Sequence, residues 1–187
     1  DLLVTGRFGA LALADRTILN EGTIVVDRGA AGEVVIDSTG TAIIRNLGTF
    51  EIPEQATLSL SGRYRFETTA SISGRGTIDL GSSGRVAMTG GSYDVTVALA
   101  DGAELSIEAP TTVRFLEMTG GTISGTGPLT LTLPQSELLG GTITVPLIEP
   151  TDTIKPAVTG SSVVDGRSYL GDIGRILGPG HVRMPAN

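Results

Sequence analysis

Two groups of charged residues recur at spacings that could place them side by side. Glu51 and Asp79 hold the same position in two copies of one short segment, Gly48-Thr49-Phe50-Glu51-Ile52 and Gly76-Thr77-Ile78-Asp79-Leu80. A carboxylate pair of this kind serves glycosidases as acid and nucleophile, or contributes to the oxygen cage of a calcium ion. At about 5 Å in water the two charges repel by only about 1 kcal/mol, so a pair also persists without any task. No third oxygen ligand follows from the spacing, and solvated surface carboxylates are the plainer expectation. Arg45, Arg63, Arg65 and Asp94 form the second group, and guanidinium groups beside an acid could hold an anionic sugar. Exposed salt bridges, each worth about 0–1 kcal/mol, account for the same pattern more simply. Hydroxyls gather later, at Thr122, Ser124, Thr130, Thr132, Thr142 and Thr144. A flat array of such pairs orders surface water in ice-binding solenoids. Here Arg63, Arg65 and Asp94 interrupt the array, and the strand preference of threonine explains most of it.

Other chemistry is excluded by composition. The chain has no Cys, which removes disulfides, thiolate metal sites and cysteine nucleophiles together. Its one histidine, His181, rules out a two-histidine metal site within one chain. No phosphate-binding loop, dinucleotide fingerprint or nucleophile elbow is present, and no cofactor is expected. Thirteen basic residues against 20 acidic ones give a net charge of −7 over 187 residues, which argues against nucleic-acid partners. All basic residues except Lys155 are arginine, so there is no polybasic membrane patch. No apolar run approaches the roughly 20 residues that span a bilayer, and direct membrane insertion is not expected. The chain opens at Asp1 with no signal peptide, as a mature product or an excised fragment would.

The elements that must position these residues come from internal repetition. Gly22-Thr23-Ile24-Val25-Val26 is followed by the segments at 48–52 and 76–80, then by weaker copies at 103–107 and 127–131. Their starts are 24 to 28 residues apart, a period of about 27. A second series lies at 33–36, 57–60, 85–88 and 112–115, and a third at 41–45, 63–66, 92–95, 122–124 and 142–145. Each segment alternates apolar with polar residues, the signature of a strand with one buried face. Three short strands per period describe a triangular coil, and parallel stacking would set successive coils about 4.8 Å apart. The expected inward set is Ile24, Val26, Val34, Ile36, Phe50, Ile52, Leu58, Leu60, Tyr64 and Phe66, then Ile78, Leu80, Val86, Met88, Tyr93, Val95, Leu105, Ile107, Val113 and Phe115. On this reading Glu51 and Asp79 are neighbours on the first face, and Arg45, Arg65 and Asp94 stack on the third. A narrow bore suits slender aliphatics, consistent with only 4% aromatic residues, and the 27 glycines suit sharp corners. A β-sandwich is the competing architecture. Few hairpin signals support it, since Asn-Gly is absent and Asp-Gly occurs at 101–102 and 165–166 alone.

Candidate strands at 2–5, 10–14 and 17–19 give the start of the chain a partial coil. The period fades after Val145, and residues 146–187 carry Pro146, Pro150, Pro156, Pro179 and Pro185. In this tail Ser168 could cap a short helix bearing Tyr169, Leu170, Ile173, Ile176 and Leu177, stopped at Gly178-Pro179. The expected division is therefore a β-helix over 1–145 and a Pro/Gly-rich segment over 146–187. That segment would cap the solenoid or dock onto a neighbouring subunit.

The stretch 118–131 reads Met-Thr-Gly-Gly-Thr-Ile-Ser-Gly-Thr-Gly-Pro-Leu-Thr-Leu. It resembles the Gly-Gly-Thr-Leu-Ser-Gly-Thr-Gly-x-Leu-Thr repeats of bacterial surface proteins, the autotransporter passengers and filamentous-haemagglutinin-type adhesins, with looser agreement across 22–145. The resemblance implies a right-handed parallel β-helix, here of about five to six coils, in an extracellular or surface-tethered protein. The expected function is a non-enzymatic structural or adhesive module whose partners are further copies of itself, joined end to end or through the tail, or a surface glycan. The alternative is a polysaccharide-binding or polysaccharide-degrading β-helix, a lyase or a tail-spike-like module. Short connections between strands count against the enzyme.

Overall fold

The computed structural model describes residues 2–4, 9–14, 17–26, 33–39, 43–133, 137–145, 147–148, 157–159, 162–164 and 175–177. Side chains are described for 17–26, 35–37, 43–133 and 138–145. The chain is all-β, and every ladder between its described strands is parallel. Among the described residues the one antiparallel contact is an isolated bridge between Pro53 and Arg75. This is a β-solenoid, as the alternation implies, and parallel ladders of this kind exclude a sandwich of antiparallel sheets.

Three faces, A, B and C, are visited in that order in each turn. Face A stacks Thr23–Val26, Thr49–Glu51, Ser71–Ser73, the first part of Gly91–Leu99, the first part of Thr111–Met118, and Leu129–Leu131. Face B stacks Glu33–Thr39, the first parts of Thr57–Phe66 and Thr77–Met88, and the later parts of Gly91–Leu99 and Thr111–Met118. Face C stacks Thr17–Asn20, Ile43–Asn46, the later parts of Thr57–Phe66 and Thr77–Met88, Glu104–Ile107 and Thr122–Gly125. Residues 17–133 wind about five coils in this way. Pairing of the same kind continues outward to Leu2–Val4 and Gly9–Ala14 on one side and to Gly141–Ile143, Ser162–Val164 and Arg175–Leu177 on the other. Ile176 and Leu177, expected on a helix, pair instead in parallel with Val158 and Thr159. The other residues of that helix, together with Lys155 and His181, lie outside the described residues.

The period needs correction. Leu58, Ile78, Val97 and Leu116 lie directly above one another, so a coil takes about 20 residues over most of the chain. Among the first coils it is longer, with Phe50 above Ile24 and Ile44 above Ile18. The segments at 22–26 and 48–52 do share face A, but Thr77 to Leu80 lies on face B, Glu104–Ile107 on face C, and Leu129–Leu131 on face A again. Between the first two copies the repeat is one long coil; from 48–52 onward it is one coil plus one strand and advances one face per copy.

Facing was legible where register was not. All the residues expected inward whose side chains are described are buried except Phe115; the side chain of Val34 lies outside the described set. Phe115 is only half-buried, and Leu116 takes the inward place above Val97. Between Tyr93 and Val97 the lower coil has three residues, whereas Val113 and Leu116 enclose only Arg114 and Phe115. The tighter corner flips the alternation and turns Phe115 outward beside Thr96. Within the bore, Phe50 and Phe66 meet edge to face with centroids 5.8 Å apart, and Phe66 meets Tyr93 at 6.4 Å. Each fully buried side chain of this size contributes roughly 1.5–3 kcal/mol.

Corners bring backbone onto backbone. A Cβ on Gly48 would lie 2.1 Å from the Gly22 carbonyl oxygen, so only glycine lets these two coils stack there. At one early corner the interior is polar: Asn20 Nδ2 donates to Asn46 Oδ1 at 2.6 Å, and Asn46 Nδ2 donates to the Gly48 carbonyl at 3.1 Å. Asn46 is fully buried, and Phe66 occupies the same column one coil on.

Candidate functional site

Two consequences for the expected sites follow from the corrected register. Glu51 lies on face A between Val25 and Ser73, while Asp79 lies on face B between Ser59 and Ala98. They are not neighbours, and the carboxylate pair is withdrawn. Among the described residues no group of three or more His, Cys, Asp or Glu is placed to hold a metal ion. No described helix is long and apolar enough to cross a membrane.

The arginine group is partly assembled. Arg45 and Arg65 are stacked in adjacent coils of face C, and Arg63 precedes Arg65 by two on the same strand, so all three project from one face. Asp94 does not join them. It follows Tyr93 at the end of face A, where it pairs with Arg75 at 3.6 Å and Arg114 at 3.9 Å. The face C position above Arg65 is filled by Ala87, then Ser106, then Ser124.

Arg45 and Arg65 are already committed to acids. Arg45 donates to Glu67 Oε1 through Nη2 at 2.7 Å and Nε at 3.1 Å. Arg65 reaches the same oxygen through Nε at 3.2 Å and grips Glu108 with both terminal nitrogens, at 2.9 and 2.8 Å. That paired geometry is the strong form of the contact. The hydrogen bond from Arg45 holds the Glu67 carboxyl below its ordinary value, aided by the charge of Arg65 and opposed by burial. The hydrogen bonds that Arg65 donates to Glu108 correspondingly raise the pKa of Arg65. Arg45 is half exposed and Glu108 two-fifths exposed, so each pair adds at most about 1 kcal/mol.

Beside this network lies a trough of about 430 Å³ that runs along the solenoid axis. Its lining includes Arg63, Arg85, Glu104 and Thr122, which are successive members of one column, and Ala87, Ser106 and Ser124, which are successive members of the next. Arg65 stands at one end. The depression exists because side chains shrink from arginine to alanine and serine along one column while the neighbouring column stays long. Arg85 and Glu104 approach at 3.4 Å, both more than half exposed.

Sequence reasoning missed Arg85, Glu104, Ser106, Glu67 and Glu108. Arg63-Tyr64-Arg65-Phe66, Arg85-Val86-Ala87-Met88, Glu104-Leu105-Ser106-Ile107 and Thr122-Ile123-Ser124-Gly125 are the tetrads that carry the trough. Aligning them on their alternation at a spacing of about 20 would have found the column. Tyr64 and Tyr93 are buried in the bore as expected. The Tyr93 hydroxyl donates to the Gly90 carbonyl at 2.7 Å, and burial pushes its pKa up to about 12.

The hydroxyl array also moves. Thr122 and Thr142 do stack on face C. A longer column runs up face A through Thr23, Thr49, Ser71, Ser92, Thr112 and Thr130, with Thr49 and Ser71 hydrogen-bonded at 2.8 Å. The adjacent column holds Val25, Glu51, Ser73, Asp94 and Arg114, so the face presents no flat sheet of hydroxyls.

No family model, curated protein or solved structure matches the chain.

Proposed function

We propose that this chain is a non-enzymatic structural or adhesive module of the cell surface or extracellular space, a stiff rod that acts through its shape and the polar faces it displays. One observation carries the reading. Between 43 and 133 no connection between strands is longer than the five residues 52–56, and outward positions are filled by side chains of the strands themselves. No loop along this stretch rises to wall a cleft, and the face C trough is framed by strand side chains alone. The separation of Glu51 from Asp79 removes the acid pair that a hydrolase would have used. Parallel coils bonded through their backbones resist bending, and a strand at either end of such a stack offers unpaired groups to another copy. Localisation at the surface rests on the resemblance of 118–131 to adhesin repeats.

Small-angle scattering at several concentrations tests this. Among the described residues one chain stacks eight rungs on face C, roughly 35 Å at about 4.8 Å each, so a lone copy is nearly as broad as it is long. The expected result is a particle that lengthens in steps of one chain at constant cross-section as concentration rises, and growth in cross-section instead of length would end the rod reading. Release of reducing ends or unsaturated products from a panel of acidic glycans would replace it with an enzyme.

A further inference from the structure

We infer that the face C trough binds a linear glycan bearing carboxylates, laid along the solenoid axis with its acids against Arg63 and Arg85 and its hydroxyls over Ser106, Ser124 and Thr122. This adds a ligand to the rod proposed above and stands on separate observations.

The depression has a size typical of small-ligand sites, which run from about 300 to 1,000 Å³. Its charges are graded rather than uniform. Three guanidinium groups lie toward one end, Glu104 follows, and hydroxyls of serine and threonine take over beyond it. A ligand lying along the columns meets a new rung about every 4.8 Å. It would therefore encounter cations first and neutral donors and acceptors next. A polymer that mixes carboxylates with many hydroxyls matches that sequence of groups. Arg65 is the preorganised end wall, because Glu67 and Glu108 already fix its guanidinium and little side-chain freedom is lost on binding. Arg85 approaches Glu104 through Nε at 3.4 Å with both side chains more than half exposed, a weak pair that a ligand carboxylate can displace.

Other polyanions fit less well. A single-stranded nucleic acid would find no exposed aromatic ring among the described residues of the trough on which to stack its bases, since Tyr64 is buried. A peptide would find side chains only, since the strands under the trough spend their backbone groups on neighbouring coils.

Calorimetric titration of the whole chain with polygalacturonate oligomers tests the assignment, with dextran, chondroitin sulfate, polyglutamate and single-stranded DNA as comparison ligands. Polygalacturonate should bind, dextran should not, and binding should weaken several-fold as salt is raised. The Arg63→Ala, Arg85→Ala double variant should lose at least about tenfold in affinity, and Ser106→Glu, which places a carboxylate on the floor, should lose as much. Arg75→Ala on the other side of the solenoid should bind as before. All four substitutions are outward, and unchanged circular dichroism would confirm that the variants fold. Absence of polygalacturonate binding, or equal binding by the double variant, overturns the proposal. Tighter binding of polyglutamate or DNA does the same, and tighter binding of chondroitin sulfate replaces carboxylate with sulfate as the recognised group. None of these outcomes alters the scattering profile, so this proposal and the rod reading fail independently.

Discussion

Phe66 and Phe115 are the same side chain on the two sides of one ribbon. Phe66 lies in the bore with Phe50 and Tyr93 at its edges, while Phe115 has been turned outward by a corner one residue short. The bore is closely packed and continuous from coil to coil, so each inward residue answers to neighbours above, below and across. The outer surface answers only to its own column. Substitution is therefore constrained inside and permitted outside, and recognition can change on the faces without disturbing the stack.

The largest effect that would sharpen this contrast is at Phe66. Phe66→Ala should lower stability by about 3–5 kcal/mol through the cavity it leaves, read as a fall in the denaturant midpoint. Phe115→Ala should cost under about 1.5 kcal/mol; equal losses at the two sites would break the comparison. Corners come next. A Cβ on Gly125, where φ is +128°, would lie 2.0 Å from the Ile107 carbonyl oxygen, whereas one on Gly81 meets nothing within 4 Å. Gly125→Ala should cost about 1–3 kcal/mol, and Gly81→Ala should be close to neutral in the same melts. Smallest is the outer ion-pair network, where Glu67→Gln should cost at most about 1 kcal/mol at neutral pH. Because the folded carboxyl titrates below the ordinary 4.5, its stabilisation is complete above that value and lost as pH falls through the lower, folded one. Wild type and Glu67→Gln should therefore converge in stability below pH 4.5, and a gap that persists in acid would contradict the assigned role.

The interior could be read from the chain because alternation depends only on the next residue but one. Ile78 and Leu80 point inward whatever the length of the coil that carries them. Which face a strand joins depends on the sum of every corner before it, and corner lengths here vary. Arg45 and Arg65 were correctly stacked because Ile43–Asn46 and Arg63 to Phe66 are consecutive visits to face C. Asp94 was misplaced because the repeat used to align it was a coil and a strand long. The trough went unseen for the same reason, since its members become a column only when Arg85 is set above Arg63.

The mismatch between the 27-residue sequence unit and the 20-residue turn works as a vernier. Duplicating one unit in the gene would lengthen the rod by a turn and a third, and would rotate everything beyond the insertion by one face. A charged strip on one side would then continue as a different strip, breaking any continuous lateral track. Insertion of a single turn, by contrast, would extend the track in register. Growth of such a rod by copying the unit of its later coils thus changes its surface pattern with each copy, while its hydrocarbon axis passes through unaltered.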